Sequence, residues 1–314
     1  MQIITDVSVC PWPEQRSVIT IGAYDGVHLG HRCVIGEVQR RAQLASARST
    51  VVTFDRHPAS VVRPESAPRL LTDAAQRLEL LEATGVDATV VLAFDDSRRL
   101  EDPADFVRRV LVEGLRASAV VVGEDFHFGV SRSGNVGLLR ELGVSLDFEV
   151  LPVPLLDRSD GIGEPVSSTA IRRALAGGEV EQAAAMLGRP FQARGPVTQG
   201  DQRGRLLGFP TANVAVPAQI CLPADGVYAG VYERPDGSRH ACAINLGRRP
   251  TFYDHATTSL LEAHLLDFDG DLYGELARVE FVAFLRSERK FDGIDALKAQ
   301  LKLDCEHARA VAGL

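Results

Sequence analysis

Around Gly188-Arg189-Pro190 the texture of this 314-residue chain changes, and the change limits what it can fold into. Before it, short β-branched runs at residues 18–21, 50–54, 88–94 and 119–122 alternate with polar, helix-forming stretches. That rhythm demands a parallel sheet, because parallel neighbours need a crossover long enough to hold a helix. Two short helices, near 169–176 and 179–187, close this half. Beyond it, glycine, proline and turn signals separate β-rich runs at 191–199, 226–234, 240–246, 258–268 and 277–285. Short strands at this spacing predict an antiparallel barrel. Apolar residues at Ile294, Leu297, Leu301, Cys305 and Ala308 then keep a helical period, predicting one terminal helix over about 293–311 with a charged outer face. The expected organisation is an α/β domain with a Rossmann-like parallel sheet over 1–187 and a β-barrel with a terminal helix over 188–314. No internal repeat relates the halves.

Composition removes several classes of function. With 45% apolar and 24% charged residues the chain is ordinary globular protein, and a net charge of −8 provides no general attraction to nucleic acid. The apolar runs fall far short of the roughly 20 residues of a membrane helix, and no cationic-then-apolar leader opens the chain. No membrane partner, no export and a cytoplasmic location are therefore expected. Cys10, Cys33, Cys221, Cys242 and Cys305 are odd in number and scattered, which fits buried or idle thiols better than disulfides or zinc.

Residues 22–31 read GAYDGVHLGH, between a predicted strand and a predicted helix. Gly22, Gly26 and Gly30 permit a tight turn and a close approach to a ligand, with Tyr24 inside the same loop. His28 and His31, three apart, share one face of a helix N-terminus, where both imidazoles can meet a phosphate and donate to it or carry positive charge. Asp25 reads equally well as a turn former or a ligand contact. Loops 55–60 and 123–137 follow other strands of the same sheet, at the carboxyl ends where such sheets bind ligands. Ser168, Thr169 and Arg172 open a predicted helix, either as caps or as an anion pocket for a leaving pyrophosphate.

In the second half, residues 195–213 read GPVTQGDQRGRLLGFPTAN, glycine-rich but without a Walker ending. A flap of glycine amides or a simple turn both fit. Thr211 and Asn213 alternate in an extended segment, so their oxygens share a face and can jointly ligate Mg2+. By position alone Glu262 reads as a solvated strand residue, Asp269 and Asp271 as a hairpin turn, and Arg286, Arg289 and Lys290 as a solvated charged stretch.

The histidine motif with its later Ser-Ser-Thr-x-Ile-Arg element resembles the nucleotidylyltransferase half of the bacterial bifunctional riboflavin kinase/FAD synthetases. TFDRHP at 53–58 and VVGEDFHFG at 121–129 resemble that family's second and third motifs. GD…GR…LGFPTAN resembles its riboflavin kinase signature nearly residue for residue, and GVYAG, INLGRRPTF, LEAHLLDFDGDLYG and FLRSERKFD continue the likeness to the terminal helix. The resemblance implies ATP-dependent phosphorylation of riboflavin to FMN in the barrel, then adenylylation of FMN to FAD with release of pyrophosphate in the first domain. ATP, riboflavin and FMN are the implied substrates, with Mg2+ serving both steps. His28 and His31 would stabilise the adenylyl-transfer transition state. Gly22, Tyr24, Gly30, Ser168, Thr169 and Arg172 would bind the triphosphate, and Asp55, His57, Pro58, Asp125, Phe126 and Phe128 would shape the flavin and nucleotide cleft. In the kinase half the implied flap is Gly200, Asp201, Gly204, Arg205, Gly208 and Pro210, the metal ligands Thr211 and Asn213, and the general base Glu262. Arg56, His127 and Arg32 depart from the usual family pattern. Two rival readings are a chain with one active domain and a flavin-binding sensor without turnover.

Overall fold

The computed structural model describes residues 1–200, 203–248 and 259–313. It divides into two compact units, Met1–Ser167 and Ser168–Leu314.

The first unit is built on six parallel-paired strands: β1 (Gln2–Ile4), β2 (Ser17–Ile21), β3 (Arg48–Phe54), β4 (Ala88–Leu92), β5 (Ala117–Gly123) and, after a small hairpin β6 (His127–Phe128) and β7 (Gly134–Asn135), β8 (Glu149–Val153). The order β1-β4-β3-β2-β5-β8 makes β2 the strand at which the winding reverses, since β3 lies on one side of it and β5 on the other. Ligands of open α/β sheets bind at the carboxyl end of that point, where residues 22–28 lie. All five residues of β2 are buried, as a central strand covered on both faces requires. The helix Leu29–Leu44 lays Ile35, Val38 and Ala42 on the sheet at helical spacing. Edge strands β1 and β8 were not foreseen; both are short or half-exposed, with little apolar signal.

The second unit opens with the helices Ser168–Ala176 and Val180–Leu187. This structural division falls earlier than the 187/188 boundary drawn from sequence, because Val180, Ala183, Met186 and Leu187 turn a buried face toward their own unit's core. Among the described residues six strands then close a barrel: β9 (Phe191–Thr198), β10 (Ala212–Val214), β11 (Gly226–Glu233), β12 (Arg239–Arg248), β13 (Ser259–Leu265) and β14 (Leu276–Arg286), in the cyclic order β10-β13-β12-β11-β14-β9. Every pairing is antiparallel. Tyr228, Leu246, Leu261, Ala263 and Phe281 are fully buried within it. The helix Ile294–Ala312 ends the fold. Its apolar stripe differs from the expected one: Ile294 is 62% exposed, only Ala308 of the five is fully buried, and the charged Asp304 is 2% exposed.

Candidate active sites

The chain leaves β2 into a turn in which Tyr24 (φ 51°), Gly26 (φ 84°) and Val27 (φ 39°) are left-handed. For the two non-glycine residues this conformation costs on the order of 1–2 kcal/mol each, so the surroundings must hold it. They do so at several points. The Tyr24 hydroxyl shares a 2.6 Å hydrogen bond with Thr20 Oγ1, and Val27 is fully buried. The buried Asp25 carboxylate accepts from the backbone N–H of Leu71 (2.9 Å) and Thr72 (3.1 Å). Asp25 is thus a brace for the turn. Tyr24 is buried with its ring 4.9 Å from that of His31, so its backbone, not its hydroxyl, is what the turn offers a phosphate.

His28 caps the following helix through its side chain: Nδ1 accepts from the His31 N–H at 3.3 Å. That bond leaves the proton of a neutral His28 on Nε2. The His28 and His31 rings stack at 3.6 Å between centroids with 19° between planes. Gly30 permits this stack, since a Cβ there would stand 3.2 Å from His28 Cε1 and Nδ1 and 3.3 Å from the Val166 carbonyl oxygen. Burial, reinforced by the His28 ring, holds the His31 pKa well below the ordinary imidazole range. Two imidazolium ions at this separation repel by several kcal/mol even at an effective dielectric constant of 20. The pair therefore carries at most one positive charge. The reading in which either ring is free to be cationic narrows accordingly: His31 is neutral, and its Nδ1 has no hydrogen-bond partner among the described residues.

Beside the turn lies a cavity of about 530 Å³, reached by Gly22 and Ala23 but not lined by the histidines. His57, Pro58, Asp125, Phe126 and Phe128 meet in its walls. Phe126 and Phe128 stack at 5.4 Å, and Phe54 and Phe94 meet edge to face at 5.1 Å. Such walls suit a flat aromatic ring system. Phe54, Phe94 and Phe106 were missed, because an aromatic at a strand end or in a helix has no spacing signal that separates cleft from core. Asp55 is outside the lining: it accepts from the Phe94 N–H at 2.9 Å and from Arg56 Nη2 at 2.9 Å. Burial works against its ionised form, but these bonds prevail and keep the carboxyl below its usual range. Arg56 is thereby explained as a clamp on Asp55. His127 folds back on its own loop, with Nδ1 2.7 Å from the Asp125 carbonyl oxygen. Ser168 begins the first helix of the second unit, Thr169 is exposed on it and Arg172 is half-buried.

In the barrel, strand register assembles the second site. Asn213 of β10 faces Glu262 of β13, Glu262 faces Asn245 of β12, Asn245 faces Val227 of β11, and Val227 faces Arg286 of β14. All five line one cavity of about 690 Å³, with Thr211 and with Leu297, Leu301 and Asp304 of the terminal helix. The site therefore sits between the barrel's outer face and that helix. Asn213 is 7% exposed, and its Oδ1 has no hydrogen-bond partner among the described residues. Asn245 was missed, since one asparagine in a strand is unremarkable until its neighbours are known. Arg286, read as solvated, instead grips the buried Asp304 through Nε (3.0 Å) and Nη2 (2.7 Å). Cys305 also lines the cavity, and burial pushes its thiol up to about 11, so it is no nucleophile at neutral pH.

The expected glycine flap is a short helix, Arg203–Leu207. Gly200 abuts the Asn213 side chain, where a Cβ would fall 2.4 Å from Nδ2, and Gly204 lies under the Phe209 carbonyl. Gly208 is left-handed (φ 88°), Arg205 is exposed, and the Pro210 carbonyl oxygen lies 2.7 Å from His264 Nδ1. Asp201 lies outside the described residues, as does the end of the INLGRRPTF segment. Asp269 and Asp271 fall in the connection between β13 and β14.

These two sites can be set beside known proteins. The FAD synthetase family model matches residues 10–170, and the riboflavin kinase model matches residues 187–312. A bifunctional riboflavin kinase/FMN adenylyltransferase of Pseudomonas fluorescens is 40% identical over 96% of this chain and 94% of its own length. The protein of the same description from Listeria monocytogenes is 36% identical over 95% of this chain and 93% of its own. A crystal structure described as a macrolide-efflux protein from Streptococcus pneumoniae superposes with a TM-score of 0.87 at 30% identity, over 98% of both chains. Efflux is said of that protein alone; the likeness carried here is of fold. No described helix is long and apolar enough to cross a membrane. With both family models matched in order and relatives aligned over nearly their full length, the chain belongs to the bifunctional riboflavin kinase/FMN adenylyltransferase family.

Proposed function

We propose that this protein makes FAD from riboflavin in two ATP-dependent steps, each at one of the two sites. The observation that carries the reading is the cross-strand row Asn213–Glu262–Asn245, which sets a carboxylate between two amides on one cavity wall. In the barrel, Glu262 is the general base: it takes the proton of riboflavin's terminal hydroxyl as that oxygen attacks the γ phosphorus of ATP, the β–γ bridging bond breaks and ADP leaves, giving FMN. Thr211 and Asn213 would hold Mg2+; the buried Asn213 Oδ1, which has no hydrogen-bond partner among the described residues, and the Thr211 hydroxyl are the hard oxygen donors that ion prefers. When bound there it supplies charge neutralisation on the phosphates. Gly204 lines the cavity on its nucleotide side, and Gly200, Gly208, Pro210, Arg205 and Asp201 complete the ATP-binding flap on this reading.

In the first unit the FMN phosphate attacks the α phosphorus of a second ATP, releasing pyrophosphate. The aromatic cavity takes the flavin ring, with His57, Pro58, Asp125, Phe126 and Phe128 in contact with it and Asp55 fixing the loop behind. His28 and His31 stabilise the charge that develops on the phosphoryl oxygens by donating hydrogen bonds, with one positive charge at most between them. Ser168, Thr169 and Arg172 hold the leaving pyrophosphate. The functional boundary on this reading is 187/188.

The test is a time course with riboflavin, Mg2+ and ATP, with the flavins separated chromatographically. FMN should rise first and FAD follow. Formation of neither overturns the reading, and so does FMN formation at the wild-type rate by Glu262→Ala or FAD formation at the wild-type rate by His28→Ala.

A further inference from the structure

The barrel site has a direction that its register defines. On one side of the Asn213–Glu262–Asn245 row come Thr211 and His264, and His264 pairs with Ala243; on the other come Gly247 and Leu260, which pair with each other. Each step of two residues along a strand is about 6.6 Å. Metal and phosphate ligands therefore lie to one side of the base. The alcohol substrate must extend to the other, toward Gly247.

What waits there is a second carboxylate. Glu288 rests on the bare Cα of Gly247, where a Cβ would fall 2.3 Å from Glu288 Oε1. The loop that delivers it is anchored. Arg286, two residues before, is held by the buried Asp304, to which Gln300 also donates at 2.7 Å. Phe291, three residues after, lies under the guanidinium groups of Arg286 and Arg289 at 5.7 and 5.0 Å. A carboxylate repels a triphosphate and accepts hydrogen bonds from hydroxyls. About 6.6 Å from the base row is roughly the length of an extended five-carbon polyol chain whose end is at Glu262, so a carboxylate there can accept from the chain's inner hydroxyls and falls short of the far edge of the flavin ring.

We propose that Glu288 holds the ribityl chain of riboflavin by accepting hydrogen bonds from its hydroxyls, and that Gly247 is bare to seat that carboxylate. The inference rests on the kinase reading of the barrel. Its test is steady-state phosphorylation by the full chain, with FMN and FAD summed as product. Glu288→Gln should raise the riboflavin KM about tenfold, leave kcat and the ATP KM within about twofold, and leave conversion of supplied FMN to FAD unchanged. Lumiflavin, which has the ring without the polyol, should inhibit wild type and Glu288→Gln with the same Ki. Gly247→Ala should also raise the riboflavin KM by displacing the carboxylate, and the double variant should be no worse than Glu288→Gln. An unchanged riboflavin KM, a raised ATP KM, or a lumiflavin Ki weakened in parallel overturns the proposal. If wild type makes no FMN, it is the kinase reading that fails.

Discussion

In the first unit the turn and its two histidines occupy ten consecutive residues, 22–31, whereas the barrel row draws Asn213, Val227, Asn245, Glu262 and Arg286 from five strands. The histidine site is a local device. Its backbone is strained, and it is held by short-range bonds and by Asp25 reaching to Leu71 and Thr72. The barrel site is an unstrained lattice whose geometry is the ladder itself. A strained local site is sensitive to substitutions that touch no ligand but release the turn; a ladder site is sensitive to its own side chains and to the helix that roofs it.

The largest expected effect separates the two sites. Glu262→Ala should lower riboflavin phosphorylation about 10³-fold while supplied FMN is still converted to FAD; equal loss of both activities would break the separation. His28→Ala should reverse the pattern, lowering adenylylation about 10²-fold or more with phosphorylation intact. It also removes the helix cap, so urea unfolding should distinguish a lost cap of about 1 kcal/mol from lost chemistry. Asp304→Ala leaves Arg286 without its buried partner. Breaking such a pair costs about 3–5 kcal/mol, so thermal unfolding should shift in the barrel's transition while adenylylation at 25 °C persists. Gly30→Ala sharpens the contrast in the other direction. A methyl group 3.2 Å from the His28 ring should disturb the stack and lower adenylylation about tenfold by misplacing the imidazoles, with no change in FMN formation.

The last and smallest effect is a dependence on pH. The folded state holds His31 neutral, with its pKa below that of the unfolded chain. As pH falls below the ordinary imidazole range near 6.5, the unfolded chain takes up a proton that the folded one refuses, so stability declines with acid. At higher pH the contribution is constant. His31→Gln should flatten that part of the stability profile measured by urea titration between pH 5 and 7; a profile unchanged by the substitution would refute a neutral, buried His31.

Much of this was legible in the sequence wherever the signal was short-range. The change of texture at Gly188 separated the sheet from the barrel, and the glycine and histidine spacing located the turn. Asp25 stayed ambiguous because its partners are more than forty residues away, and Arg286 was misread because a charged stretch before a helix looks solvated until its buried partner Asp304 is known. Glu262 is the clearest case: its solvated reading was reversed only by resemblance, and the reason lies in its neighbours Asn213 and Asn245, which no spacing reveals.

The sequence by itself determined the periodicities, and with them the order and type of the central elements of each half and the chemistry available at each loop. Only the tertiary structure decided which way the sheet winds at β2, that two histidines stack and share at most one charge, and that a strand glutamate, two amides and a distant Glu288 face one cavity. The physical reason is range. Backbone preference and hydrophobic period act over a few residues, whereas charge state, burial and cross-strand register depend on groups that come together only when the chain has folded.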